Sequence, residues 1–306
     1  MEYEGQICRS PMERSAFMLP VAVGCSYNAC KFCTLFKHLK YRELPLEQIE
    51  AELVRVSEIG GNPKRVFLGD GNAFGIATDK LLTILKMVHK YFPDCQSVNM
   101  DATVTNIREK SDEELKALKE AGVDQLYLGI ETGLDDVLHF MCKDHNKEQV
   151  YEAIERLHKV GLEYDAHMMT GIAGKGRGIE NAEAIAEFYN KTKPKKIVNF
   201  SMFLHVEAPL YRDIEKGLFV PADELENLEE EKRLLELLNV DGVEYDGFHD
   251  FVKVRVRGVL PKDREKMIAK VEEGIETYKN KESVYAKVGG CCCELDCYQM
   301  TDPDFR

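Results

Sequence analysis

Between residues 15 and 204 the chain alternates strand-length apolar runs with segments of helical period, and this rhythm restricts the fold more than any other feature. Residues 15–23 read as a first strand, followed by LEQIEAELVRVSEIGG (46–61), a helix ended by Gly60 and Gly61. RVFLGD (65–70) and DKLLTILKMVHKYF (79–92) make the second pair, stopped by Pro93. SVNMDA (97–102) precedes SDEELKALKEAG (111–122), where Ser111 and Glu114 have the spacing of a capping box. DQLYLGIE (124–131) leads into a helical region over 135–160, and EYDAHMMTGI (163–172) into IENAEAIAEFYNKT (179–192). KIVNFSMFL (196–204) is the sixth strand. Such alternation predicts a parallel α/β sheet with helices outside. Six units fall short of an eight-unit barrel. A partial barrel and an open doubly wound sheet both fit the pattern.

Beyond APLY (208–211) the rhythm breaks. An acidic helix, ADELENLEEEKRLLELLN (222–239), a candidate strand, FVKVRVRG (251–258), and a helix, DREKMIAKVEEGIETYK (263–279), read as an extension closing one side of the core. The first twenty residues carry acids and a proline where a signal peptide needs a basic start and an apolar run. No stretch approaches the roughly 20 apolar residues that span a bilayer. The expected setting is the cytoplasm, with no membrane partner. There, ten cysteines point to metal ligands or reactive thiols rather than structural disulfides. A net charge of −13 argues against nonspecific binding to nucleic-acid phosphates, so nucleic acid stays a minor hypothesis. KHLKYR (37–42) and KVRVR (253–257) are the local basic runs.

Chemistry concentrates in GCSYNACKFCTLF (24–36), which places Cys25, Cys30 and Cys33 directly after the first strand. In parallel α/β folds the carboxyl ends of strands are where active-site loops gather. Three thiolates so close suit three irons of a [4Fe-4S] cluster, leaving the fourth iron open to a ligand. Zinc is the rival metal.

CSYNACKFC, with an aromatic before its last cysteine, resembles the cluster loop of the radical S-adenosylmethionine (radical SAM) enzymes. Their commonest loop has three residues between the first two cysteines. This one has four and is similar to a subgroup whose loop reads like GCSHNKCTFC. QICRSPMERSA (6–16) resembles that subgroup's lead-in, with Arg9, Pro11 and Glu13 matching and Met12 departing. FLGDGNAF (67–74) stands where the superfamily has a Gly-Gly-Glu motif, and LYLGIETGLDDVL (126–138) resembles a segment of elongator-type and methylthiotransferase-type members. Lys143-Asp144 replaces the usual Lys-Gly. MMTGIAGKG (168–176) resembles the glycine motif near the adenine, and EAPLYRDIEKGLF (207–219) the stretch after it.

The resemblance implies a partial (β/α)6 TIM-type barrel over 1–210, beyond which the pattern reads as a mainly helical C-terminal extension over 211–306 that ends in a cysteine-rich tail. It implies a [4Fe-4S] cluster on Cys25, Cys30 and Cys33 that cleaves SAM reductively to draw a hydrogen atom from a small-molecule substrate. A low-potential electron donor such as ferredoxin or flavodoxin would be its partner. Gly69 and Gly71 would let backbone approach a ligand, and Asp70 would receive the SAM ammonium. Phe32 would pack on adenine, while Asp101 and Glu131 would bond ribose hydroxyls. The bland readings stand beside these: Phe32 covers the cluster, Asp101 caps a turn, and Glu131 pairs with Arg156 or a lysine.

GGCCCELDCY (289–298) is a second cysteine cluster. Cys291, Cys293 and Cys297, with Cys292 between them, suit an auxiliary iron–sulfur cluster, completed by a distant thiol such as Cys8 or Cys142. A reactive tail and a cysteine-rich terminus without purpose are the alternatives. Cys95 and Cys142 read most simply as small buried hydrophobes, and His167 as a packed core residue. GKGRG (174–178) lacks the ending of a phosphate loop. The rival to a SAM-cleaving enzyme is an iron–sulfur electron carrier or redox sensor.

Overall fold

A computed structural model describes residue 4 and residues 9–289. Its main sheet has eight strands, in the order in which the chain makes them. β1 (Phe17–Pro20), β2 (Arg65–Gly69), β3 (Ser97–Ala102), β4 (Val123–Glu131), β5 (Glu163–Thr170) and β6 (Lys196–Ser201) are parallel neighbours. β7 (Val243–His249) adds parallel to β6, and β8 (Val254–Leu260) ends the sheet antiparallel to β7. A doubly wound sheet would reverse its strand order at a switch point. The unbroken order instead gives the curved, unclosed wall of a partial TIM-type barrel.

The helices between strands are α1 (Leu46–Glu58), α2 (Thr78–Tyr91), α3 (Val104–Glu109), α4 (Asp112–Glu120), α5 (Asp135–Phe140), α6 (Lys147–Lys159) and α7 (Gly178–Thr192). Their apolar faces, such as Ile49 and Leu53 of α1 and Leu81, Leu85 and Val88 of α2, join Val66, Leu68, Val98 and Leu126 of the strands in one core. Each such side chain, fully buried, adds about 1.5–3 kcal/mol. The capping box of Ser111 and Glu114 forms with both of its hydrogen bonds. The helical region over 135–160 divides in two, because Asn146 opens α6 with a capping box of its own through Gln149.

The first strand is also divided. β1 ends at Pro20, and Ala22–Val23 then pairs antiparallel with Arg42–Glu43. That short ladder closes the base of the segment 24–41, which carries all three cysteines. Inside the wall, Ala16, Met18, Phe67 and Tyr127 form a separate apolar cluster, with Met12 packed against it.

The extension is mainly helical, with α8 (Pro209–Glu215), α9 (Glu224–Leu237) and α10 (Arg264–Tyr278), yet β7 and β8 carry the sheet across residue 210. The expected strand over 251–258 starts at Val254, after a short 3-10 turn. β7 itself escaped the sequence reading, since Asp246 and Gly247 are poor strand formers. Tertiary partners decide it. Asp246 accepts from Arg255 at 3.1 and 3.0 Å and from Arg257 at 2.9 Å across the β7–β8 pair. A Cβ on Gly247 would lie 1.9 Å from Glu231 Oε1, so only glycine lets α9 pack there.

Candidate active site

The cysteine segment leaves the barrel wall at Gly24, in the left-handed region at φ +78°. Its shape is set by polar contacts from three directions. Asn28, also left-handed at φ +46°, donates through Nδ2 to Phe36 O at 2.8 Å. Lys31 N donates to Met141 O at 3.0 Å, and Lys31 O accepts from Leu210 N at 2.9 Å. Lys31 Nζ meets Asp213 Oδ2 at 2.8 Å and lies 4.1 Å from the Phe140 ring centroid. Tyr27 Oη donates to Cys142 O at 2.7 Å. The segment is thereby tied to both α5 and α8. Cys25, Cys30 and Cys33 are half-buried and in no disulfide.

The loop after β2 is keyed into this segment. A Cβ on Gly71, at φ +57°, would lie 2.2 Å from Gly24 O and 2.8 Å from Cys25 Cα. One on Gly69 would lie 2.4 Å from Met18 Cε. The close approach these glycines allow is thus to Met18 and to the cysteine segment. Asn72, buried, accepts at Oδ1 from Ser26 N at 3.1 Å and Ser26 Oγ at 2.9 Å, and donates to Asn106 Oδ1 at 2.6 Å. It joins the loops after β1 and β2 to helix α3. Sequence reasoning passed over Asn72, although it stands inside the quoted FLGDGNAF.

Between Gly69 and Asn72, Asp70 is buried at the end of β2. It acts on Asp101 at the end of β3: burial first, then Asp70 and Glu13, push the half-buried Asp101 carboxyl up to about 8. Asp70 and Asp101 therefore belong to one acidic locus. Glu13, from the matched lead-in, is buried below them and accepts from Asn99 Nδ2 and Tyr127 Oη, both at 2.6 Å.

Glu131 ends β4 at φ +65° and pairs with Lys143, Oε1 to Nζ 3.2 Å, both side chains being nine-tenths buried. A lysine, not Arg156, is its partner; Arg156 holds Asp112 and the carbonyl of Lys110. Lys143 Nζ also lies 6.0 Å from the Phe32 ring centroid. Burial pushes the Cys30 thiol up to about 11, and Lys143 is the first influence opposing it. Cys33 is raised by burial too. Phe32, Cys30, Glu131 and Lys143 are thus one group, and Lys143 is a site residue visible in the sequence only as an altered turn.

The donor set fits an iron–sulfur cluster. Among the described residues no three His, Cys, Asp or Glu side chains converge on one ion-sized point. A cubane instead takes one thiolate at each of three separate irons. Cys25, Cys30 and Cys33 would hold it, with Lys143 offsetting the thiolate charge. Cys8, Cys291, Cys292, Cys293 and Cys297 lie outside the described residues. Cys95 is buried as expected. His167 packs between Tyr127 and Phe200, ring centroids 5.7 and 5.8 Å away, and burial holds it down at about 4.

Comparison with known proteins bears on the family and the fold. The model of the Radical SAM superfamily matches residues 19–189. A heme chaperone, HemW, of Bacillus subtilis (strain 168) is 25% identical over 213 residues, 65% of this chain and 54% of its own length. Biotin synthase of Aquifex aeolicus (strain VF5) is 27% identical over 185 residues, 58% of this chain and 53% of its own. The chain thus spans about half the length of these curated relatives. Among solved structures, coproporphyrinogen III oxidase of Escherichia coli superposes with a TM-score of 0.58 at 14% identity, over 72% of this chain and 52% of that one. Methylornithine synthase does so with 0.52 at 14% identity, over 74% and 63%.

Proposed function

The chain belongs to the radical SAM superfamily, and on that premise we propose that it binds a [4Fe-4S] cluster through Cys25, Cys30 and Cys33 and uses it to cleave SAM. The observation that carries the reading is the keyed pair of loops. Asn72 and Gly71 lock the cysteine segment against the loop that presents Asp70. When bound, the cluster and SAM would supply one-electron reductive cleavage of the SAM sulfonium and, through it, hydrogen-atom abstraction from the substrate. The chain's own part is to bind, orient and exclude water.

In this reading Asp70, with Asp101 beside it, receives the ammonium of SAM, which relieves the crowding of two carboxyls. Lys143 supplies the cation for the methionine carboxylate, and Glu131 holds that lysine in place and offers its other oxygen to ribose. Phe32 covers the adenine or the cluster. A low-potential donor such as ferredoxin or flavodoxin delivers the electron, and the substrate is a small molecule held within the barrel wall. No helix among the described residues is long and apolar enough to cross a membrane.

The test is anaerobic reconstitution with iron and sulfide, then dithionite and SAM. Formation of 5′-deoxyadenosine is the expected result. An intact cluster that yields none would leave the second reading, an iron–sulfur carrier or sensor. The name of the Bacillus subtilis relative adds one control: titration with hemin, followed at the Soret band, separates heme carriage from SAM cleavage.

A further inference from the structure

The acidic helix α9 of the extension does not face water as its composition suggests. Glu224, Glu230 and Glu231 are each no more than 1% exposed, and Asn227 is 3%. These side chains lie behind the sheet, and two of them reach the glycine loop over 171–178 that follows β5. Glu230 Oε2 accepts from Gly171 N at 2.8 Å. A Cβ on Gly171, at φ +82°, would lie 2.6 Å from Asn227 Oδ1, and one on Gly178 would lie 3.0 Å from Glu230 Oε2. Both ends of the loop therefore rest on α9. Its middle is held by the same part of the chain: Gly176 N donates to Glu226 Oε2 and Lys175 N to Val220 O, each at 2.8 Å.

The other oxygen of Glu230 points toward β4. Asn181 Nδ2, from α7, donates to Glu230 Oε1 at 2.6 Å, and Asn181 Oδ1 accepts from Thr132 Oγ1 at 2.5 Å. Thr132 directly follows Glu131, and its hydroxyl accepts from Leu134 N at 3.1 Å. One buried carboxyl thus ties the end of β4 to the end of β5 through two side chains. Burying a carboxyl is costly unless both oxygens are met, so such a residue fixes its partners closely.

From this geometry we infer that Glu230 is a positioning residue for the nucleoside end of the SAM site, setting the 171–178 loop relative to Glu131. It touches no ligand itself. The inference rests on the SAM reading above and adds that the extension takes part in cofactor binding. Ile172 and Ala173 of the loop belong to the apolar cluster that Phe32 packs against, so the ligand class at the loop is the adenosyl group, with the methionine ammonium left to Asp70.

Glu230→Gln keeps the shape but turns an amide donor toward either Gly171 N or Asn181 Nδ2. The test is anaerobic equilibrium dialysis of the cluster-loaded full chain with SAM, 5′-deoxyadenosine and L-methionine as separate probes. Affinity for SAM and for 5′-deoxyadenosine is expected to fall about tenfold, the cost of leaving roughly one buried donor unmet, while that for L-methionine stays within about twofold. Iron content reports that the cluster is retained. Glu226→Gln, on the half-buried side of the loop, guards against a misfolded Glu230 variant and is expected to show the same selectivity at about threefold. Unchanged 5′-deoxyadenosine affinity, or an equal fall for L-methionine, overturns the inference. A wild type that binds neither SAM nor 5′-deoxyadenosine overturns the SAM reading itself, a distinct result.

Discussion

Two sets of acids lie on opposite faces of the sheet. On the inner side, Asp70 and Asp101 end adjacent strands, and Asp101 is driven up to about 8 by burial and by its acidic neighbours. Behind the sheet, the acids of α9 are matched oxygen by oxygen. Glu231 Oε1 accepts from Tyr245 Oη at 2.8 Å and Asn199 Nδ2 at 3.1 Å, while its Oε2 faces His249 Nε2 at 3.0 Å. Glu224 Oε1 accepts from Ser201 Oγ and from Asn227 Nδ2, and its Oε2 faces His249 Nδ1 at 3.4 Å. Acids crowded together favour an incoming cation, whereas acids fully hydrogen-bonded favour one fixed structure. On the proposed reading the same residue type serves binding on one face and architecture on the other.

The contrast can be broken most severely through the thiols. Cys30→Ala is expected to abolish cluster assembly, seen as loss of iron and of absorbance near ~400 nm, and with it SAM cleavage, while the fold stays intact by circular dichroism. Next in size is Glu231→Ala, which leaves His249 charged and buried with Glu224 alone. It is expected to cost about 3–5 kcal/mol in urea unfolding while leaving the cysteine loop able to take iron. If that variant were as stable as wild type, the architectural reading of α9 would fail.

Asp70→Ala should do the reverse. SAM affinity falls by roughly 10–100-fold, the range for a hydrogen bond to a charged group, and iron content does not change. Equal SAM binding by wild type and variant would remove Asp70 from the site.

The smallest effect is a slope. His249 is raised to about 10 by its two glutamates against the cost of burial. Its contribution is complete below about 6.5 and drains away as pH rises through about 10. Burial raises Glu230 to about 8 from 4.5, so stability also declines across that lower interval as the unfolded chain releases its proton first. Urea midpoints should therefore fall from pH 5 to pH 10, and His249→Gln should flatten the part above pH 7. A wild-type midpoint that rose over this range would contradict the charged state assigned to His249.

Much of this was legible in the chain itself. The alternation over 15–204 specified the parallel wall, because helix and strand periods, glycine stops and the Ser111 box are local properties. The spacing of Cys25, Cys30 and Cys33, with Asp70 in a glycine-rich turn, marked one side of the site for the same reason. Other features were illegible. Asn72 and Lys143 matter through partners 46 and 12 positions away. β7 is a strand only because Arg255, Arg257 and Glu231 meet it. A run such as ELENLEEEK reads as a solvated face from composition alone. Only the tertiary structure decides that Glu224, Glu230 and Glu231 turn inward, since a buried carboxyl depends on donors that distant segments bring to it. Local chemistry fixed the elements and the cysteine loop, and long-range packing decided which acids crowd together and which ones are held by donors.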